Sequence, residues 1–232
     1  MMHEEGRVDV VCIGAHPDDV EIGMGATVAK LTSSGSSVTI VDLTDGEPTP
    51  YGTPELRAEE SRQAAELLGA SRITLSQRNR QLFDSVEARE ELATVLRRLR
   101  PRIMFMPYAL DAHPDHVAAA QIALAARFYG KFVKTEMPGE PHFVRRVFSY
   151  MAVHQRILAQ PSFVVEVTDH MPAKGAALRA YASQFASNPA NAGVVKMMED
   201  SAHMWGGLAN VGAGEPFFAL ETIALESPLD VL

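Results

Sequence analysis

The stretch VDVVCIGAHPDDVEIGMGATVAKLTSSGSSVTIVDLT, residues 8–44, holds in order an apolar run, an acidic turn, a helix-like segment and a second apolar run. VDVVCIGA (8–15) is β-branched and nearly continuously apolar, as expected of a strand covered on both faces. EIGMGATVAKLTSSG reads as a helix ending near Gly35, and SVTIVDLT (37–44) as the next strand. Strand, helix and strand in this order make a βαβ unit with a right-handed crossover.

The alternation continues. Thr53 can cap a helix with Pro54 at its first position, running to about Leu68 and stopping at Gly69. RITLS (72–76) is a third strand, and Ser85 can open a helix whose Val86, Leu92, Val95, Leu96 and Leu99 lie largely on one face. RIMFMPYA (102–109) is a fourth strand, followed by the helix DHVAAAQIALAARFYG (115–130). The second half is less regular: RRVFSYMAV, PSFVVEVT and EPFFALETIAL read as strands and PAKGAALRAYASQF as one helix. The expectation is an α/β fold, Rossmann-like and three-layered, with a mainly parallel sheet in a single domain over 1–232.

A net charge of −8 without any Lys/Arg-rich run argues against nucleic acid as a partner. No apolar stretch approaches the 18 residues of a membrane span, and the start MMHEEGRVDV lacks the regions of a signal peptide. Cys12 is the single cysteine and lies within the first apolar run, so it reads as a small buried hydrophobe. These features place the expected location in the cytoplasm.

Two clusters carry the chemistry. HPDD (16–19) follows the first strand and HPDH (113–116) the fourth, together three histidines and three aspartates. In open α/β sheets ligands bind at the carboxyl ends of strands where the strand order reverses, and the first and fourth strands are neighbours there. The expected metal site therefore lies at the carboxyl ends of the strands. Imidazole nitrogens and carboxylate oxygens suit zinc and related divalent ions, and three protein ligands with an open fourth position describe a catalytic site. With adjacent Asp18 and Asp19, one carboxylate can bind metal while the other acts as a base. Taken singly, either could instead cap the following helix.

At these residues the chain resembles the LmbE-like (PIG-L) family of metal-dependent N-acetyl-sugar deacetylases, through AHPDDVEIGMGAT and HPDH. The features DLTDGEPTPYGTPELRAEESRQAAELLG, PYALDAHPDH, PSFVVEV and LRAYASQF resemble its bacillithiol-synthesis branch, which acts on N-acetylglucosaminyl-malate. The resemblance implies that His16, Asp19 and His116 bind Zn2+ or Fe2+ and that Asp18 is the general base. It makes His113 the partner of the oxyanion or the acid for the leaving amine, Asp115 the residue that orients a histidine, and Arg57 a substrate contact. It also implies a small N-acetyl-sugar substrate and a homo-oligomer, trimer or hexamer. SQRNRQLFD departs from the branch's Pro-Asp-Arg-like stretch, and WGGLANVGAGEPF lacks a tyrosine that relatives often carry.

Arg78 and Arg80, in the loop after the third strand, are candidates for anion recognition. His142, His154, His170 and His203 are scattered and read as ordinary histidines, Arg145 and Arg146 as an exposed pair, and Tyr181 and Phe185 as core or subunit contacts. Gly23 and Gly25 follow the acidic cluster, where carboxylates would repel phosphates, so a dinucleotide loop is disfavoured. Competing classes are a non-haem iron oxygenase, a non-catalytic sugar- or metal-binding module, and a chitooligosaccharide deacetylase or thiol-sugar conjugate amidase of the same family.

Overall fold

Every residue of Val10–Gly14 (β1) is buried, because the strand lies mid-sheet with helices over both faces. Val11 and Ile13 join one apolar cluster while Val10 and Cys12 join another, the two-residue period of a strand splitting one run between two cores. The computed structural model describes residues 7–152 and 159–227. Among the described residues β1 is joined by β2 (Val38–Thr44), β3 (Ser71–Gln77), β4 (Ile103–Pro107), β5 (Arg146–Tyr150), β6 (Phe163–Glu166) and β7 (Gly214–Ala219). They form one sheet in the order β3-β2-β1-β4-β5-β7-β6, parallel from β3 to β5, with β7 antiparallel to both β5 and β6. The fold is α/β, a mixed and mostly parallel sheet between helical layers.

The expected helices form where their signals stand. They are α1 (Asp19–Ser33), α2 (Pro54–Leu67), α3 (Val86–Leu99) and α4 (Pro114–Tyr129). Thr53 and Ser85 cap α2 and α3 through side-chain bonds from Leu56 N and Ala88 N. After α1 the chain turns at Gly35, whose φ of +86° suits glycine. Leu92 and Leu96 of α3 pack with Ala119, Ile122 and Ala123 of α4 on one side of the sheet. The opposite core draws on α1, α2 and α5 (Met171–Ala180).

The later elements require corrections. The expected helix through PAKGAALRAYASQF breaks at Tyr181 (φ −81°, ψ 60°) into α5 and α6 (Ala182–Phe185). There the buried Tyr181 hydroxyl donates to Glu21 (2.9 Å), and Glu60 accepts from Ser183 N and Oγ at the new helix start. β7 ends at Ala219 instead of continuing through the apolar residues to Leu225. α7 (Val194–Leu208) has no counterpart among the expected elements; it begins at Gly193 without a side-chain cap, so the usual start signal is missing. β5 stops at Tyr150, short of Met151 and Ala152 of the expected RRVFSYMAV strand, and the last residue of that run and His154 lie outside the described residues.

Helix α1 is not continuous. At Met24 (φ −151°, ψ 23°) it leaves helical geometry, which strands backbone groups on either side of the break. A buried ion pair satisfies them. Lys174 Nζ donates to Ile22 O (2.7 Å) and Glu215 (2.6 Å), while Glu215 accepts from Ala26 N (3.2 Å) and Thr27 N (2.7 Å).

Gly23, just before the break, lies against Tyr150, and a Cβ there would stand 2.2 Å from Tyr150 Cδ2 and 2.7 Å from the Met151 carbonyl oxygen. The glycine serves close helix–sheet packing. Gly23→Ala should cost about 1–3 kcal/mol by overpacking, read as a lower urea midpoint with an unchanged slope.

Candidate active site and metal centre

The carboxyl ends of β1 and β4 are adjacent, because these strands pair in parallel from Val10↔Ile103 to Cys12↔Phe105. The turn after each therefore opens on the same side, and His16, Asp19 and His116 converge with ligand atoms all within 4.8 Å of one another. Asp19 Oδ2 accepts from Ala15 N and His16 N, both at 2.9 Å, which ties the carboxylate to its own turn. Its Oδ1 lies 3.1 Å from His116 Nε2, and its Oδ2 lies 3.5 Å from His16 Nδ1.

Each of these histidines is backed by another carboxylate. His16 Nε2 lies 3.2 Å from Asp115 Oδ2, and His116 Nδ1 lies 3.0 Å from Asp111 Oδ2. A carboxylate behind a ring nitrogen fixes the tautomer and frees the other nitrogen for a metal ion. Burial disfavours a charged ring, yet Asp115 and Asp19 outweigh it for His16, raising its pKa to about 9. Asp19 and Asp111 do the same for His116, raised to about 10. Burial would raise Asp19, but His116 and His16 hold it well below the usual carboxylate range. This donor set attracts positive charge strongly, as residues fitted to a divalent cation should.

Asp18 stands beside the trio in a left-handed backbone conformation, φ 109°, unusual for any residue but glycine. It occupies the N-cap position of α1 yet makes no side-chain cap bond, which removes helix capping as its purpose. Burial pushes its pKa up and the nearby Arg57 pulls it back, leaving it at about 7. Arg57 lies 3.4 Å from Asp18 Oδ2, donates to Pro17 O and sits over the Tyr181 ring at 5.2 Å. Its Nε lies 4.0 Å from Glu47 Oε1, and among the described residues its Nε and Nη1 are buried without a hydrogen-bond partner.

His113 caps α4, its Nδ1 accepting from Asp115 N at 3.2 Å, so the proton of the neutral ring sits on Nε2. Asp115 also accepts from Arg80 N (2.7 Å). Arg80 thus meets the site through its backbone, at φ 65°, while its guanidinium reaches Pro48 O. Arg78 is exposed and is not part of the cavity wall, so the structure does not bring it to the site.

A cavity of about 570 Å³ opens on these groups, a size suited to a small ligand. Besides the residues above, its wall includes Asn79, Gln184, Thr49 and Met197. Sequence reasoning missed the first two and Asp111. For Asp111 a signal existed, since it begins the same DAHPDH hexapeptide; Asn79 and Gln184 reach the cavity only through folding. Asp111→Asn keeps an acceptor for His113 N (2.7 Å) but withdraws the charge behind His116. It should weaken metal binding about 10–100-fold, measured by competition with a chelator.

A Rossmann-like sheet whose neighbouring strands end in histidine–aspartate turns, with a spare carboxylate alongside, is a frame for metal-assisted hydrolysis. The chain belongs to the PIG-L family, described as GlcNAc-PI de-N-acetylase, whose model matches residues 11–127. It is 34% identical to the diacetylchitobiose deacetylase of Thermococcus kodakarensis, over 76% of this chain and 70% of that one. It is 29% identical to the 1D-myo-inositol 2-acetamido-2-deoxy-alpha-D-glucopyranoside deacetylase 2 of Catenulispora acidiphila, over 75% and 79%. Among solved structures, the conserved protein TT1542 of Thermus thermophilus superposes with a TM-score of 0.87 at 37% identity, covering 95% of this chain and 98% of that one. The two named deacetylases act on N-acetyl sugars.

Proposed function

We propose that the chain hydrolyses the acetamide of a small N-acetylglucosamine-containing substrate, releasing acetate and the free amino-sugar, with zinc or ferrous iron held by His16, Asp19 and His116. The observation that carries this reading is Asp18, a half-buried carboxylate on the cavity wall beside the three ligands and released from helix capping. When bound, the cation supplies Lewis acidity toward the carbonyl and lowers the pKa of water.

The remaining work falls to side chains. Asp18 takes the proton of the attacking water, and Arg57 steadies its carboxylate. His113 presents Nε2–H to the developing oxyanion or to the leaving nitrogen. Asp115 and Asp111 position His16 and His116. Asn79, Gln184 and Thr49 offer hydrogen bonds to sugar hydroxyls, with Arg80 at the rim for a carboxylate.

N-acetylglucosaminyl-malate is the substrate that the bacillithiol-branch features favour, and diacetylchitobiose is the second choice because of the Thermococcus relative. Free-amine release from each, by zinc-loaded and metal-stripped protein, tests the proposal. Metal-dependent release from either supports deacetylation and ranks the substrates. Tight metal binding without release from these or other N-acetyl sugars would defeat it.

A further inference from the structure

The main cavity has a neighbour. A second cavity of about 200 Å³ shares two wall residues with it, Ile22 and Met197. Ile22 lies one helical turn beyond Asp18 on α1, so the second cavity begins within a turn of the reacting groups. Met197, 46% exposed, forms the other part of the shared wall.

The two cavities differ in chemistry. Met151, Met198, Ala202, Trp205 and Pro216 line the second one. Its charged wall residues, Lys174 and Glu215, neutralise each other at 2.6 Å and hold the backbone at the break in α1. Beyond the Ser201 hydroxyl its wall offers no uncharged polar side chain, so a sugar ring there would find few partners for its hydroxyls, a costly burial. Methionines, by contrast, adapt to apolar groups of varied shape.

We propose that this second cavity is a subsite for an alkyl or aryl substituent of the N-acyl sugar, reached across Ile22 and Met197 while the sugar occupies the polar cavity. The proposal rests on the assignment of the first cavity to the sugar. Two positions on the substrate could supply the substituent, the glycosidic oxygen and the N-acyl group.

Two probe series separate these sources: n-alkyl β-glycosides of N-acetylglucosamine from methyl to hexyl, and N-acyl glucosamines from acetyl to hexanoyl. Each is titrated calorimetrically and assayed for free-amine release with zinc-loaded protein. Burial of the chain should tighten Kd about fourfold per methylene until the cavity is full. Ser201, a half-buried wall residue, is the place to fill the cavity. Ser201→Phe, or the smaller Ser201→Leu, should flatten the dependence on chain length, and ratios within each variant cancel any loss of folded protein. A flattened slope in the glycoside series assigns the subsite to the aglycone, and one in the acyl series assigns it to the acyl chain. No slope in either series, or a slope that both variants leave intact, overturns the subsite. A slope in Kd without amine release from any probe would retain the subsite and overturn the deacetylation.

Discussion

Asp18→Asn should lower kcat by about 10²–10⁴-fold, the range expected when a general base is removed, while metal content stays near one ion per chain. The substitution is suited to its position. Asparagine tolerates positive φ better than most residues, so the backbone at 109° is retained where alanine would add strain. It also keeps the shape that faces Arg57. What it loses is the lone pair that accepts a proton and the charge that orients water. Metal analysis beside the kinetics separates the roles: lost metal with lost activity would make Asp18 a ligand, and full activity would end its assignment as base.

Lys174→Met should destabilise the protein by about 3–5 kcal/mol, because it strands Glu215 as a buried, unpaired charge. Glu215 is 1% exposed and Lys174 3%, so the carboxylate left behind has little access to bulk solvent. The Ile22 carbonyl loses its donor as well. Urea denaturation measures the loss. Adding Glu215→Gln should recover part of it, since the charge is gone and the amide oxygen still accepts from Thr27 N, the shorter of the two bonds, while the Ala26 N–H loses its acceptor. A cost below about 1 kcal/mol for Lys174→Met would show that the break in α1 does not depend on the pair.

The first half of the fold could be read because its signals are local. Strands covered on both faces show as short apolar runs, and Thr53, Pro54 and Ser85 mark helix starts next to the helices they open. β3 was legible too, although it sits at the sheet edge and no residue in it is fully buried. The second half depends on distant partners. Tyr181 breaks a helix because Glu21, 160 positions away, draws in its hydroxyl. The kink of α1 looks like ordinary helix in the sequence, and the Lys174 and Glu215 that hold it lie far along the chain. Within the site, residues packed into the two motifs stood out by density, whereas Asn79 and Gln184 come from a loop and a helix end without a spacing to mark them.

The pairing of β1 with β4 has a further consequence. His16 and His116 are separated by about a hundred residues, and closing a flexible loop of that length costs roughly 4 kcal/mol in chain entropy. Backbone hydrogen bonds between the strands have already closed it before any cation arrives. The ion therefore meets a ring drawn shut by the sheet, and its affinity carries information about the strands beneath. A substitution that shifts the register at Cys12↔Phe105 would touch no ligand and still loosen the metal, which makes bound metal a distant gauge of order at the centre of the sheet.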